Sequence, residues 1–212
     1  MAVAVGQPGP ALRHGVLLAV VTIACLVGIF LIDRPLSLYI ESWNPIVRSR
    51  MRWFSQVGHG TLPIVTVAVL YVLFRFALNR PAAALRCLYV GSALVVTTVV
   101  VNVLKVVFGR ARPQLLVRED IYGFDFFRLP ADWRSFPSGH AGTIFVIACC
   151  VAAIVPRFRV PLLIAATIIA LARVAANTHY FSDVVAGGYV AVVVSLALAH
   201  LYTRFGAKLS VG

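Results

Sequence analysis

The chain has 212 residues, 61% of them hydrophobic and only 12% charged, with a mean hydropathy of +0.93. A soluble domain carries about twice that share of charge, so the composition excludes an ordinary soluble enzyme and points to one integral membrane domain. The +12 formal charge comes without a basic stripe on any soluble element, which argues against nucleic acid and leaves anionic membrane lipid or a phosphate-bearing substrate as partner.

Residues 1–14 read as an N-terminal tail, with Pro8 and Pro10 marking its first 13 residues as disordered. A membrane helix needs about 20 mostly apolar residues. Six spans are expected: Gly15–Ile32, Thr61–Leu78, Cys87–Phe108, Ala141–Val155, Val160–Ala176 and Val184–Leu201. The first is too long for a signal-peptide core and has no clear cleavage site, so it is expected to stay as an anchor. The expected fold is thus all-α, a polytopic six-transmembrane-helix bundle over 15–201 with its catalytic motifs at 105–183, followed by a C-terminal tail, 202–212. Cys25, Cys87, Cys149 and Cys150 lie inside apolar runs with no CxxC spacing and read as small buried hydrophobes.

Between the first two spans, Ile46, Val47, Met51, Phe54 and Val57 recur at helical spacing among Arg48, Arg52 and Trp53. The pattern fits a short helix in the membrane interface and fits a solvated connector equally well. The turns 79–86 and 156–159, the two tails and Arg75 carry eight Lys/Arg and no acid, while the opposite face carries eleven Lys/Arg and all seven acids. Setting aside three cations claimed below for chemistry leaves eight against eight, so charge counting does not orient the chain. Parity is firmer: the end of the third span, the start of the fourth and the end of the fifth share one face.

Unusual residues sit at those three places. In "KVVFGRARP", Lys105 interrupts an apolar run and Arg112 follows seven residues later; "PSGH" (Pro137–His140) opens the fourth span; in "ARVAANTHYFSD", Arg173 is followed by His179 and then Asp183. A lone cation near a span end normally snorkels to the interface, but three cations, two histidines and a carboxylate on one face imply a site. Arginine forks and a lysine point charge suit phosphate oxygens, and a helix N-terminus adds free N–H groups. Ser138 can cap that helix while Gly139 lets the backbone approach a ligand. His179 and Asp183, four residues apart, share a helix face; the carboxylate can hold one ring nitrogen and leave the other to attack. His140, at the lip of this cradle, can act as general acid. A metal site on His140, His179 and Asp183 is the rival, opposed by the three cations and the lack of a further ligand. YGFDFF (122–127) and RSFPS supply aromatics that either pack at the interface or gate the lipid.

Together these stretches resemble the signature of the type-2 phosphatidic acid phosphatase and vanadium haloperoxidase superfamily: Lys, six residues, Arg-Pro; Pro-Ser-Gly-His; and Ser-Arg, five residues, His, three residues, Asp. Only Ala172 departs, standing where the pattern has Ser. The resemblance, in its membrane lipid phosphatase branch, implies that His179 is a nucleophile forming a phosphohistidine, His140 the acid and Asp183 the orienter of His179. It implies that Lys105, Arg112, Ser138, Gly139, His140 and Arg173 bind phosphate, with no metal and no cofactor. It also implies a bacterial inner membrane location, a site facing the periplasm and both termini in the cytoplasm. Candidate substrates are phosphatidic acid, phosphatidylglycerol phosphate, undecaprenyl pyrophosphate and lipid A phosphates. A phosphotransferase discharging the same intermediate onto another lipid is the alternative; a small transporter is a third, and would need a polar pathway through several spans that the sequence lacks.

Overall fold

The computed structural model describes residues 10–58 and 60–211. Nine α-helices are found among them: α1 (Pro10–Val27), α2 (Asp33–Glu41), α3 (Pro45–Phe54), α4 (Thr61–Val72), α5 (Pro81–Phe108), α6 (Pro113–Glu119), α7 (Gly139–Ile154), α8 (Arg159–Ala175) and α9 (Phe181–Arg204). The one isolated β-bridge among the described residues pairs Arg110 with Phe124. Four helical stretches are long and apolar enough to cross a membrane: Gly15–Glu41, Pro81–Phe108, Pro156–Ala175 and Phe181–Arg204. Two shorter apolar helices, Thr61–Ala77 and Gly139–Ile154, fall where the second and fourth spans were expected.

The helices overrun the apolar windows at several ends. The first stretch runs unbroken into α2, and α5 begins at Pro81, where proline's fixed φ suits a first helical turn. Residues 10–14, expected in the N-terminal tail, belong to α1; residues 1–9 lie outside the described residues.

α7 sits at the centre, packed on α5, α8 and α9. Small residues set how close these helices come. A Cβ at Gly187 would stand 2.4 Å from the Ser138 carbonyl oxygen, and one at Gly142 3.3 Å from Thr97 Cγ2. Tyr89, Leu94, Val146, Cys150 and Ala191 fill the core at the end away from the sequence motifs. The expected C-terminal tail docks there: Leu209 is buried, its carbonyl accepts from Arg86 Nε at 2.9 Å, and Val211 N donates to Ile154 O at 2.8 Å. The outer surface is a belt of exposed Val, Leu, Ile and Phe, densest along α1, a coat suited to a lipid surround. The four cysteines are unpaired thiols, Cys150 buried and the others half-buried.

At the other end, the 109–138 loop folds over the bundle. Gly109 caps α5 at φ +53°, where a Cβ would lie 1.8 Å from Asp125 O, so only glycine fits the turn. Phe108, Phe124 and Phe136 meet edge to face at 5.2–6.2 Å and hold the loop down. Those aromatics pack on one another.

Candidate functional site

Three segments meet beneath that loop: the last turn of α5, the first turn of α7 and the join of α8 to α9. Lys105, only 8% exposed, donates through Nζ to the carbonyls of Arg134 (2.7 Å) and Ser135 (3.4 Å). An ammonium has three donors, so two are used to fix its position. Arg112 stands at the N-cap of α6. Arg173, in the last turn of α8, donates to Ser55 Oγ at 3.0 Å. The Nε atoms of Arg112 and Arg173 are buried and have no hydrogen-bond partner among the described residues. The Nε atoms of Arg110 and Arg134 are unpartnered too; Arg112 and Arg173 differ from Arg110 in lying within electrostatic reach of Lys105 without an ion pair of their own, a setting that suits an anion. Burial lowers the pKa of Arg112, an effect that Asp183 and Asp132 oppose.

Ser138 caps α7, its Oγ accepting from Ala141 N at 3.4 Å, and its own N–H donates to Asp183 O at 2.9 Å. That bond ties the start of α7 to the start of α9. A Cβ at Gly139 would meet only ordinary contacts, Lys105 Cε at 3.8 Å and Val101 Cγ1 at 3.9 Å. The fold therefore does not demand glycine there, unlike at Gly187; open backbone beside Lys105 suits close approach by a ligand. His140, one residue on, lines with Lys105 and Gly139 a groove of about 360 Å³ that continues between α4 and α5 past Val101, Ile64 and Val65.

His179 is 3% exposed, and its Nδ1 lies 3.4 Å from Asp183 Oδ2, a long contact. Burial, reinforced by Lys105 and Arg112 and opposed by Asp183, pushes its pKa down to about 3, so the ring is neutral at physiological pH. Lys105 in turn lies within electrostatic reach of Arg112, Asp183, Arg134 and Arg173. The three cations and the His–Asp pair are thus gathered within electrostatic reach of one another. Ala172, where the family pattern has Ser, is buried. Among the described residues no three His, Cys, Asp or Glu side chains gather as a metal would need.

Sequence reasoning missed what holds Asp183. Its Oδ1 accepts from Arg110 Nη1 at 2.6 Å, and its Oδ2 accepts from Ser135 Oγ at 2.6 Å and Tyr180 N at 2.9 Å. Arg110 is fully buried; its Nη2 pairs with Asp33 Oδ2 at 2.9 Å and reaches Tyr122 Oη at 3.0 Å, and its guanidinium lies 4.3 Å from the Tyr180 ring centroid. Asp33, at the start of α2, also accepts from Ser182 N and Oγ. Burial disfavours the Arg110 charge, but Asp183 and Asp33 outweigh it and raise its pKa. The signal available in sequence was Arg110 itself, beside Arg112 in "GRAR", and an acid at the end of the first span; nothing linked the two. Arg134 was missed as well: its Nη2 donates to Asn102 Oδ1 at 2.9 Å, within electrostatic reach of Lys105 and Arg112.

A model of the PAP2 superfamily matches residues 86–207, over half of the chain. A lipid A 1-phosphatase of Rhizobium etli is 35% identical over 140 residues, covering 64% of this chain and 60% of that protein; its counterpart in Rhizobium johnstonii is 34% identical, with 57% of that protein covered. The match thus spans about 60% of the length of these relatives. Among solved structures, LpxE of Aquifex aeolicus superposes with a TM-score of 0.60 at 24% identity, over 82% of this chain and 98% of that one. The first transmembrane PAP2-type phosphatidylglycerolphosphate phosphatase from Bacillus subtilis does so with 0.54 at 18% identity, over 91% and 96%. These two show a shared membrane fold. On the family match, which runs through every candidate residue from Lys105 to Asp183, the chain belongs to the PAP2 superfamily.

Proposed function

We propose that this chain is a metal-independent membrane lipid phosphatase that cleaves a lipid phosphomonoester or pyrophosphate through a phosphohistidine on His179. The observation that carries the reading is a buried imidazole set against Asp183 and within electrostatic reach of Lys105 and Arg112. Lys105, Arg112, Arg173 and the free N–H groups at the start of α7 receive the phosphate oxygens. His179 Nε2 attacks phosphorus as the bond to the lipid oxygen breaks, and His140 gives that oxygen a proton. Asp183 holds Nδ1–H and stabilises the charge that develops on the ring. Water then attacks the phosphohistidine, His140 takes its proton, and the P–N bond breaks to release inorganic phosphate. Three protein cations supply the charge stabilisation that a metal would otherwise provide.

The groove between α4 and α5 leads from Lys105 and His140 to apolar Ile64, Val65 and Val101, and suits an acyl chain whose phosphate occupies the pocket. In this reading all six apolar helices cross the membrane as one domain, 15–201, with the 109–138 loop in the periplasm and both termini cytoplasmic. The Rhizobium relatives are named lipid A 1-phosphatases, which makes a lipid A phosphate the first candidate, ahead of phosphatidic acid, phosphatidylglycerol phosphate and undecaprenyl pyrophosphate. Phosphate release by the purified protein from those four lipids tests the reading. Release is expected to be fastest from lipid A, to survive EDTA and to be inhibited by vanadate. Release from none of them contradicts the activity; loss under EDTA restored by magnesium or zinc contradicts its metal independence.

A further inference from the structure

We propose that Asp33 is a positioning residue for the nucleophile: it draws off part of the Arg110 charge and so leaves Asp183 a stronger acceptor for the His179 ring. Asp33 lies outside residues 86–207, which match the PAP2 model, yet it reaches the site through contacts that are buried throughout. Asp33 is 1% exposed, and Arg110 and Asp183 are 0% exposed. Arg110 Nη2 donates to Asp33 Oδ2 at 2.9 Å, and Arg110 Nη1 to Asp183 Oδ1 at 2.6 Å. One guanidinium thus serves two carboxylates. The approach is built into the sequence. A Cβ at Gly28 would stand 2.9 Å from Ser182 Cβ, so glycine lets the first helical stretch press against the start of α9. The helix widens to a π turn over Gly28–Ile32, and Asp33 follows directly. Its Oδ1 accepts from Ser182 N at 3.1 Å and its Oδ2 from Ser182 Oγ. The carboxylate therefore caps the first turn of α9 from a neighbouring helix, and Asp183 is the next residue. Tyr122 Oη accepts from Arg110 Nη2 at 3.0 Å and donates to Ile29 O, tying the loop to the same π turn.

Asp183 divides its oxygens. Oδ1 faces Arg110, while Oδ2 accepts from Ser135 Oγ at 2.6 Å and Tyr180 N at 2.9 Å and lies 3.4 Å from His179 Nδ1. The imidazole contact is the longest of these, so its strength depends on how much negative charge the carboxylate retains. In a buried site opposite charges act on one another strongly, and an arginine paired with Asp183 alone would largely neutralise it. A second carboxylate on the same guanidinium prevents that. Two carboxylates and one guanidinium leave the cluster with one net negative charge, which is placed to stabilise the ring as positive charge develops on His179 during attack. Removing the Asp33 charge leaves a neutral Arg110–Asp183 pair, which the buried cluster tolerates, but weakens the grip on His179. A purely structural Asp33 would behave in the opposite way.

The kinetic consequence rests on the phosphohistidine reading, and the test keeps the two apart. Asp33→Asn keeps the shape and removes the charge; Asp33→Ser removes it with a smaller side chain, should the amide not fold. The rate of the nitrophenol burst from p-nitrophenyl phosphate is expected to fall roughly tenfold, with KM little changed and the thermal unfolding midpoint in detergent held or raised. An unchanged burst rate, a midpoint that falls in step with the rate, or failure of both variants to fold would overturn the proposal. Independently of turnover, the protein labelled with 15N-histidine is followed by NMR, the His179 signals being identified by their loss in His179→Asn. The wild type is expected to show the Nδ1–H tautomer with its proton far downfield. The Asp33 variant is expected to show that proton moved upfield, or a mixture with the Nε2–H tautomer. This change upholds the positioning role even if the wild type gives no burst, a result that would sink the phosphohistidine reading alone; identical His179 spectra in the two proteins overturn the proposal.

Discussion

Arg110 and Arg112 stand two residues apart in one loop and occupy opposite kinds of environment. Around Arg110 every charge is answered within the protein: two carboxylates, two hydroxyls and the Tyr180 ring surround it. Around Arg112 positive charge is in excess: Lys105, Arg134 and Arg173 lie near it as well as Asp183 and Asp132, and its side chain forms no ion pair among the described residues. The first region is a closed electrostatic clamp that joins α2, the loop and α9. The second carries a surplus of positive charge. Arg110, both of whose Nη atoms are paired although its Nε is not, positions other groups, whereas Arg112, with no ion pair of its own, is the one proposed to meet a ligand.

The sharpest way to break that contrast is to remove each arginine in turn. Arg110→Met strips Asp33 and Asp183 of their shared counter-ion and leaves buried charge unpaired, a loss of about 3–5 kcal/mol. A large fall in the thermal unfolding midpoint in detergent is expected. Arg112→Met removes a cation from a crowd of cations, so the midpoint should hold or rise while kcat/KM falls roughly ten- to a hundredfold. Equal destabilisation by the two changes would erase the distinction between clamp and pocket.

The motif residues of the pocket were legible because their chemistry is encoded in spacing. Lys105 and Arg112 lie seven apart, His179 and Asp183 four apart, and Pro137–His140 are contiguous. The clamp was not legible, because Asp33 and Arg110 are separated by 77 residues, and no local pattern distinguishes a span-end acid that pairs across the fold from one that faces water. Helix positions followed from hydropathy, but their ends did not: Asp33 to Glu41 continue the first helix because its polar side chains find partners on α6 and α9 and in the loop after α8. The docking of Leu209 and Val211 was hidden too, since a short apolar tail carries no periodicity.

Within the pocket, the two histidines differ in what they are asked to do. On the proposed mechanism a lipid alkoxide, a poor leaving group, takes a proton from His140, whereas nitrophenolate needs none. His140→Ala should lose about 10²–10⁴-fold on lipid and much less in the nitrophenol burst from p-nitrophenyl phosphate. Equal loss in both would reduce His140 to a phosphate-binding residue.

A smaller effect concerns pH. The pKa of His179 is about 3 in the folded chain against 6.5 for an ordinary histidine. Between those values the unfolded chain binds the extra proton, so stability present above pH 6.5 is lost as pH falls toward 3. By pH 5 the penalty from this residue reaches about 2 kcal/mol. His179→Asn should show a shallower fall of the unfolding midpoint from pH 7 to pH 5 than the wild type. Parallel curves would mean that the imidazole is not held neutral by burial.

The most direct test of the central claim is to catch the phosphoryl group on the protein. Wild-type protein reacting with p-nitrophenyl phosphate is quenched into alkali within the burst, where phosphohistidine survives, and the modified residue is located by mass spectrometry. The expected result is one phosphoryl group on His179, more of it in His140→Ala, where hydrolysis is slowed. A phosphoryl group on His140, or phosphate and nitrophenol released together with no labelled protein, would contradict His179 as the nucleophile.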